Sequence, residues 1–262
     1  MTYISEGKHV TQGEFDVVVV GASVAGCTAA TLYARQGLSV ALVEAHRNPD
    51  HHKRACTHFI QATAMPTIRR LGLDVPIEQA GGRPNSLATW TRWGWLGNSE
   101  SFGGPAAPAG EHGYNIRRSV LDPMFRARAA AEPGVTLLTG QSVTDVITTG
   151  GRVTGVTTGR AGVGRRITGR LVVGADGRSS RVAERAGVPT TTKAHGRFVY
   201  FAAFDNVGLP DEASRMWLLE PEIAYAFPNG DVTILSVMPT KDRLLEFRKQ
   251  LSSNYFRALN RL

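Results

Sequence analysis

Apolar residues follow two regimes along the chain. Up to Gly196 they come in short continuous runs separated by amphipathic stretches, and from there onward they alternate with polar positions. The run Phe15 to Val20, broken only by Asp16 and closed by Gly21, predicts a strand buried on both faces, as in a parallel sheet. Val24 to Gln36 has helical spacing and ends at Gly37, a residue suited to terminating a helix. Leu38 to Val43 repeats the strand signal and stops at Glu44. Strand, helix and strand therefore follow one another within about thirty residues, the length of a βαβ unit.

Downstream, Ala45 to Arg54 reads as a charged loop and Phe59 to Leu71 as a helix interrupted near Met65-Pro66. Gly81 to Gly113 is rich in glycine, proline and tryptophan, which predicts a loop-rich excursion. Ser119 to Ala131 predicts an amphipathic helix and Val135 to Thr139 a strand. Three short strands near Ser142 to Thr148, Arg152 to Thr158 and Gly164 to Thr168 form a meander, and Leu171 to Val173 is a further short strand leading into Gly174-Ala-Asp-Gly177. Ser179 to Ala186 suits a helix. The stretches RFVYFAAFDNV, SRMWLLEP, EIAYAFPN and DVTILSVMP predict an antiparallel sheet with turns at Leu209-Pro210-Asp211 and Pro228-Asn229-Gly230, and Lys241 to Leu262 a closing helix.

The fold class that follows is α/β, a Rossmann-like nucleotide-binding domain with a second, largely antiparallel β-sheet domain. The expected boundaries are a flexible leader over 1–14, a nucleotide-binding domain over 15–80 and 114–190, and a sheet domain over 81–113 and 191–262. A chain of 262 residues, 42% apolar and 20% charged, has the composition of a soluble globular protein. No run reaches the roughly 18 apolar residues of a transmembrane span, and the N-terminus has no apolar signal core, so a cytoplasmic protein is expected. Cys27 and Cys56 form neither a disulfide framework nor a C-x-x-C pair, and His51-His52 has no third ligand at metal-binding spacing, so no metal is expected.

The net charge of +8 is concentrated in part between Arg160 and Arg185, where seven arginines face only Asp176 and Glu184. That stretch is either a solvated basic face or a surface attracting an anionic cofactor. It is not interleaved with aromatic residues and no helix-turn-helix or zinc-finger pattern accompanies it, which argues against nucleic acid.

The chemistry concentrates at Gly21-Ala-Ser23-Val24-Ala25-Gly26. A glycine-rich turn between a first strand and a helix presents backbone N–H groups and the positive helix end to a pyrophosphate. Gly21 takes the tight turn and Gly26 the close helix–strand approach, while Ser23 stands where the fingerprint has its second glycine. A negative φ at Ser23 keeps close approach of a phosphate possible. Glu44, 18 residues after Gly26 at the end of the second strand, is placed to hydrogen-bond ribose hydroxyls, with Ala45 beside it.

YNIRRSVLDPMFRARAAAEPGVTLL, the pieces around Val143 and LVVGADGRSSRVAERAGV follow in the order seen in flavoprotein aromatic hydroxylases. Over roughly residues 15 to 190 the chain resembles the FAD-dependent monooxygenase family related to para-hydroxybenzoate hydroxylase, and it is similar also to reductases of the geranylgeranyl reductase type. The resemblance implies FAD as cofactor, with Arg118 contacting its pyrophosphate, or Arg117 in its place, and Val143 offering backbone groups to the adenine. It also implies that Asp176 and Gly177 lie in the pyrophosphate region and take part in nicotinamide use. Two departures are visible. Ala183 stands where the family often has an arginine, and Gly230-Asp231 opens a strand without the glycine pair that follows the family's flavin-closing Gly-Asp segment, so the sequence is expected to be a fragment or a truncated product.

The implied function is an FAD-dependent oxidoreductase, a monooxygenase using NADPH or NADH and O2 to hydroxylate or epoxidise an apolar or aromatic small molecule. The alternatives are a flavin-dependent reductase of an isoprenoid or other double bond, and a non-catalytic nucleotide-binding remnant. Trp90, Trp93, Trp95, Phe201, Phe204, Trp217 and Tyr225 are either substrate-lining or core. His58 is either a structural histidine or a group near the flavin edge. Catalytic side chains and oligomeric state are not readable from the spacing.

Overall fold

A computed structural model of the chain describes residues 10–96, 112–160, 163–209 and 213–262. Pro210 and Asp211 of the expected turn, residues 97–111 of the loop-rich excursion and residues 1–9 of the leader lie outside these. The chain forms two compact units, one of residues 1–54 and 119–191 and the other of residues 55–118 and 192–262.

In the first unit, β1 (Val10–Val20) lies at the centre of a six-stranded sheet and is followed by α1 (Val24–Ala34) and β2 (Val40–Val43). β1 begins at Val10, so the last residues assigned to a flexible leader belong to the sheet. They pair with the far end of the long strand described next, Val10 opposite Arg165. The remaining strands are β8 (Val135–Leu138), β9 (Val143–Thr149), β10 (Arg152–Arg160) and β11 (Val163–Gly174), giving the order β8-β2-β1-β11-β10-β9. The first four run parallel and the last two antiparallel.

The two strands expected at 164–168 and 171–173 are one strand of 12 residues. Gly169 joins them: a Cβ there would lie 3.0 Å from both the Phe15 carbonyl oxygen and Val18 Cγ2, so its absence lets β11 run unbroken along β1. The core is built from Val18, Val20, Ala41, Val43, Val156, Ile167 and Val182, all buried. The near-continuous apolar runs of β1 and β2 are what a strand covered on both faces requires.

In the second unit, β3 (Phe59–Ile60), β4 (Arg83–Asn85) and β7 (Gly113–Asn115) form a three-stranded sheet. Two short helices, α2 (Met65–Leu71) and α3 (Asp74–Gln79), separate the first two strands. The helix expected over 59–71 is therefore a strand, a 3-10 turn at Ala62–Ala64 and a helix of 7 residues with Pro66 in its first turn, where a missing N–H costs nothing. β5 (Leu87–Thr91), β6 (Gly94–Leu96), β12 (Tyr200–Asp205), β13 (Ser214–Leu218), β14 (Ile223–Asn229) and β15 (Val232–Met238) make the larger sheet, in the order β12-β15-β14-β13-β5-β6. It is antiparallel except where β13 runs alongside β5.

Residues 55–80 and 114–118, expected with the nucleotide-binding domain, cluster with this second unit. Hydrogen bonds explain the shift: Asn115 Nδ2 donates to Ser214 Oγ at 2.8 Å, and Ser214 N–H donates to the Ser86 carbonyl at 2.9 Å. The closing helix is two helices, α6 (Leu244–Lys249) and α7 (Leu251–Leu259), because Gln250 leaves helical geometry at φ −135°. Asn254 Nδ2 caps the first by donating to the Glu246 and Phe247 carbonyls, and the break brings both Phe247 and Tyr255 into the core against Trp217, Ala224, Ala226 and Val237.

The first unit's core makes a direct prediction. Ile167 is fully buried, so Ile167→Ala is expected to lower stability by about 2–5 kcal/mol, read from the midpoint of chemical denaturation.

Candidate functional site

β1 delivers the chain to the glycine turn under tight backbone control. Gly21 N–H donates to the Val43 carbonyl at 2.8 Å and Ala175 N–H to the Val20 carbonyl at 2.8 Å, so the turn emerges at the C-terminal ends of three neighbouring strands. Gly21 has φ +101°, and a Cβ on it would lie 2.5 Å from the Ala175 carbonyl oxygen. At Gly26 the constraint is harder still, with a Cβ 1.7 Å from the Gly21 carbonyl oxygen. Both positions require glycine, one for conformation and space and the other for space alone.

Ser23 is different. Its backbone is extended, at φ −96° and ψ −170°, a region open to any residue, so nothing in the backbone demands the fingerprint's second glycine. Ser23 is the N-cap of α1, its side chain makes no capping bond, and the first turn has no acidic residue. The N–H groups of Val24, Ala25 and Gly26 belong to a helix start that has no intrahelical acceptors to offer them.

Glu44 follows β2 and is 9% exposed. One carboxylate oxygen accepts the Ala22 N–H at 2.8 Å and the other accepts the His46 N–H at 2.9 Å. The acid thus fixes the glycine turn as well as standing beside it. Ala45 is exposed next to it. Gln141 N–H donates to the Glu44 carbonyl at 2.8 Å and Gly140 N–H to the His46 carbonyl at 3.2 Å, which brings the chain leading to Val143 alongside Glu44 and Ala45. Gly21, Ser23, Val24, Ala25, Gly26, Glu44, Ala45 and Val143 therefore belong to neighbouring segments of one unit.

Asp176 has a local task. Its carboxylate accepts from Ser180 Oγ at 2.5 Å and from the N–H groups of Arg181 at 2.7 Å and Val182 at 3.1 Å, capping the short helix α5 (Arg181–Arg185). Gly177 takes φ +91° in the turn between. Arg118 opens α4 (Arg118–Ala130), where the two units divide. Its N–H donates to His58 Nδ1 at 2.8 Å and its guanidinium lies 3.8 Å from Cys56 Sγ, while Arg117 pairs with Asp231 at 2.7 Å. His58, at φ 61°, also accepts from the Ile116 N–H through its carbonyl, so it holds this corner of the second unit in place.

Two residues of this site have no counterpart in the sequence reading. Asp122 and Arg126, one helical turn apart on α4, are 1% and 4% exposed. Asp122 accepts the Lys53 N–H at 2.9 Å. The Arg126 guanidinium donates to three backbone carbonyls, Ala22 at 3.3 Å, His51 at 2.7 Å and Pro49. The available signal was the spacing Leu121, Phe125, Ala129, which defines the buried helix face and leaves Asp122 and Arg126 on its edge.

Among the described residues no cluster of three or more His, Cys, Asp or Glu is placed to hold a metal, and no helix is long and apolar enough to cross a membrane. Of the tryptophans, Trp93 is 77% exposed under the Arg92 guanidinium, whereas Trp95 meets Trp217 edge-on at 5.9 Å.

The family model of the FAD binding domain matches residues 14–254. The chain belongs to that family. Among its relatives, 6-methylpretetramide 4-monooxygenase of Streptomyces rimosus is 33% identical over 192 residues, covering 71% of this chain and 42% of that protein. Digeranylgeranylglycerophospholipid reductase 1 of Methanopyrus kandleri is 31% identical over 232 residues, covering 83% of this chain and 56% of the relative. The crystal structure of PqsL, a probable FAD-dependent monooxygenase from Pseudomonas aeruginosa, shares the fold at a TM-score of 0.73 and 21% identity, over 90% of this chain and 63% of PqsL. The chain thus spans about half the length of the curated relatives it matches.

The residues present fit an FAD pyrophosphate: two obligatory glycines let the turn and the start of α1 pack closely on the strand ends, the first helical turn supplies N–H groups, and no carboxylate sits in that first turn. Gly26→Ala is expected to lower stability by about 1–3 kcal/mol, measured by chemical denaturation, because the backbone of β1 or α1 must move to admit the methyl group.

Electrostatics adds a pH dependence at the loop after Glu44. The rings of His46 and His51 stack at 3.3 Å, and burial first, with His46 second, holds the His51 pKa below its ordinary 6.5. At pH values below 6.5 the unfolded chain therefore binds more protons than the folded one, and stability falls as pH drops. Denaturation midpoints at about pH 5.5 and about pH 7.5 are expected to differ less in His51→Phe than in the parent chain.

Proposed function

We propose that this chain carries the nucleotide-binding and sheet units of an FAD-dependent oxidoreductase, a cytoplasmic monooxygenase that uses NADPH or NADH and O2 to hydroxylate or epoxidise an apolar or aromatic small molecule. The observation that carries the reading is the glycine turn: a helix start with no side-chain capping bond, packed onto the strand ends through Gly21 and Gly26 and braced by the carboxylate of Glu44. In this reading the N–H groups of Val24, Ala25 and Gly26 receive the pyrophosphate. Glu44, whose oxygens retain lone pairs after accepting two N–H groups, bonds the ribose hydroxyls beside Ala45. Backbone groups at Val143 meet the adenine.

Asp176 acts indirectly, by holding the strand–helix turn around Gly177 through its cap on α5. Arg118 remains the candidate phosphate ligand of the second unit, with a guanidinium suited to paired bonds with phosphate oxygens. When bound, FAD supplies the electron transfer and oxygen chemistry, and the chain binds, orients and shields it. Support for a monooxygenase comes from the Streptomyces relative and from PqsL. Support for a second reading, a flavin-dependent reductase of an isoprenoid double bond, comes from the Methanopyrus relative, and product dependence on O2 separates the two.

Titration of the purified chain with FAD, followed by flavin fluorescence, tests the cradle. Binding in the micromolar range is expected for the parent chain. Ser23→Asp, which places a carboxylate at a helix N-cap that tolerates it structurally, is expected to weaken FAD by at least about tenfold without loss of thermal stability. Equal affinity of parent and variant would remove the pyrophosphate from this turn.

A further inference from the structure

The carbonyl of Ala22 sits inside the glycine turn, and its hydrogen bond fixes more than its own position. The Ala22–Ser23 peptide is trans, so the Ala22 C=O and the Ser23 N–H point in opposite directions. Arg126 donates to that carbonyl from one side, and Glu44 holds the N–H of the preceding peptide from another. Both peptides flanking Ala22 are thereby locked. With Ala22 O turned toward Arg126, the Ser23 N–H is turned away from it.

We propose that Arg126 is a positioning residue for the cofactor's pyrophosphate, which it serves by orienting the Ser23 amide and by tying the turn to the loop after Glu44. The inference rests on the reading of the turn as a pyrophosphate site. Its second half follows from the other two acceptors, the Pro49 and His51 carbonyls, which belong to the loop that begins at Ala45. Asp122 pins the same loop two residues further on, through the Lys53 N–H. One buried guanidinium thus joins the phosphate turn to the ribose-side loop, with three carbonyls as partners.

Serine at position 23 gives this tie its importance. Glycine there would let the peptide plane adopt several orientations, whereas serine confines it, so the chain depends on one orientation being the productive one. A planar, five-donor side chain satisfies three carbonyls at once, and an ammonium reaches fewer of them in fixed geometry.

The test compares parent, Arg126→Met and Arg126→Lys chains, with ADP and adenosine as probes read by ligand-observed NMR and FAD read by fluorescence. Arg126→Met is expected to weaken FAD and ADP by at least about tenfold and adenosine, whose ribose meets only the loop that the guanidinium ties down, by about threefold at most, and Arg126→Lys is expected to recover part of the loss. A merely structural role would weaken all three probes alike. Equal losses for ADP and adenosine, unchanged ADP affinity in Arg126→Met, or unfolding of both variants would each overturn the proposal. Failure of the parent chain to bind either FAD or ADP would instead overturn the pyrophosphate reading on which it rests.

Discussion

The constraint on which the first unit depends is the contact between Gly26 and the Gly21 carbonyl. A single methyl group at Gly26 would lie 1.7 Å from that oxygen, so α1 can lie this close to β1 only with hydrogen at that position. Everything at the site inherits this closeness. The helix start reaches the ends of β1, β2 and β11 because the approach is permitted, and Glu44 then lies within bonding distance of the turn. The carboxylate that we propose bonds a ribose therefore also helps build the turn proposed for the pyrophosphate. In that proposal, structure and ligand recognition share one group.

Such sharing has an energetic logic. A buried carboxylate is satisfied when backbone N–H groups donate to it, and those groups are themselves orphans of a turn that has no strand or helix partner for them. The Ala22 N–H and the His46 N–H are both satisfied in this way. Arg126 does the converse for carbonyls, taking three that lie in the turn and in an irregular loop. Buried charge is tolerated at this site because each charged group meets several backbone dipoles. The second unit solves a different problem, covering one face of an antiparallel sheet with two short helices and an aromatic cluster around Trp217, Phe247 and Tyr255.

Much of this was legible in the chain. The βαβ unit announces itself by apolar runs bounded by Gly21 and Gly37, and Glu44 is recognisable by its place after the second strand. Alternation marks the strands of the larger sheet. What pattern alone does not carry is the continuity of β11 through Gly169, since glycine inside an apolar run reads as a break, and the break at Gln250, which depends on a cap from Asn254. The grouping of residues 55–80 and 114–118 with the second sheet rests on long-range bonds such as Asn115 to Ser214. Arg126 is not legible in the sequence for a related reason: an arginine in a basic chain reads as a solvated charge, and the three carbonyls around it come together only in the fold.

Function enters at the level of the family and narrows from there by chemistry. The chain belongs to the FAD binding domain family and spans about half the length of the curated relatives it matches, so the reaction is a proposal and the cofactor's site is where the structure speaks most directly. The central claim is that the turn at Gly21 to Gly26 receives a pyrophosphate. Phosphorus-31 NMR of FAD in the presence of the chain addresses it at the atoms concerned. Both pyrophosphate resonances are expected to shift and broaden on binding, and resonances that stay at their free positions while the flavin is bound would contradict the account.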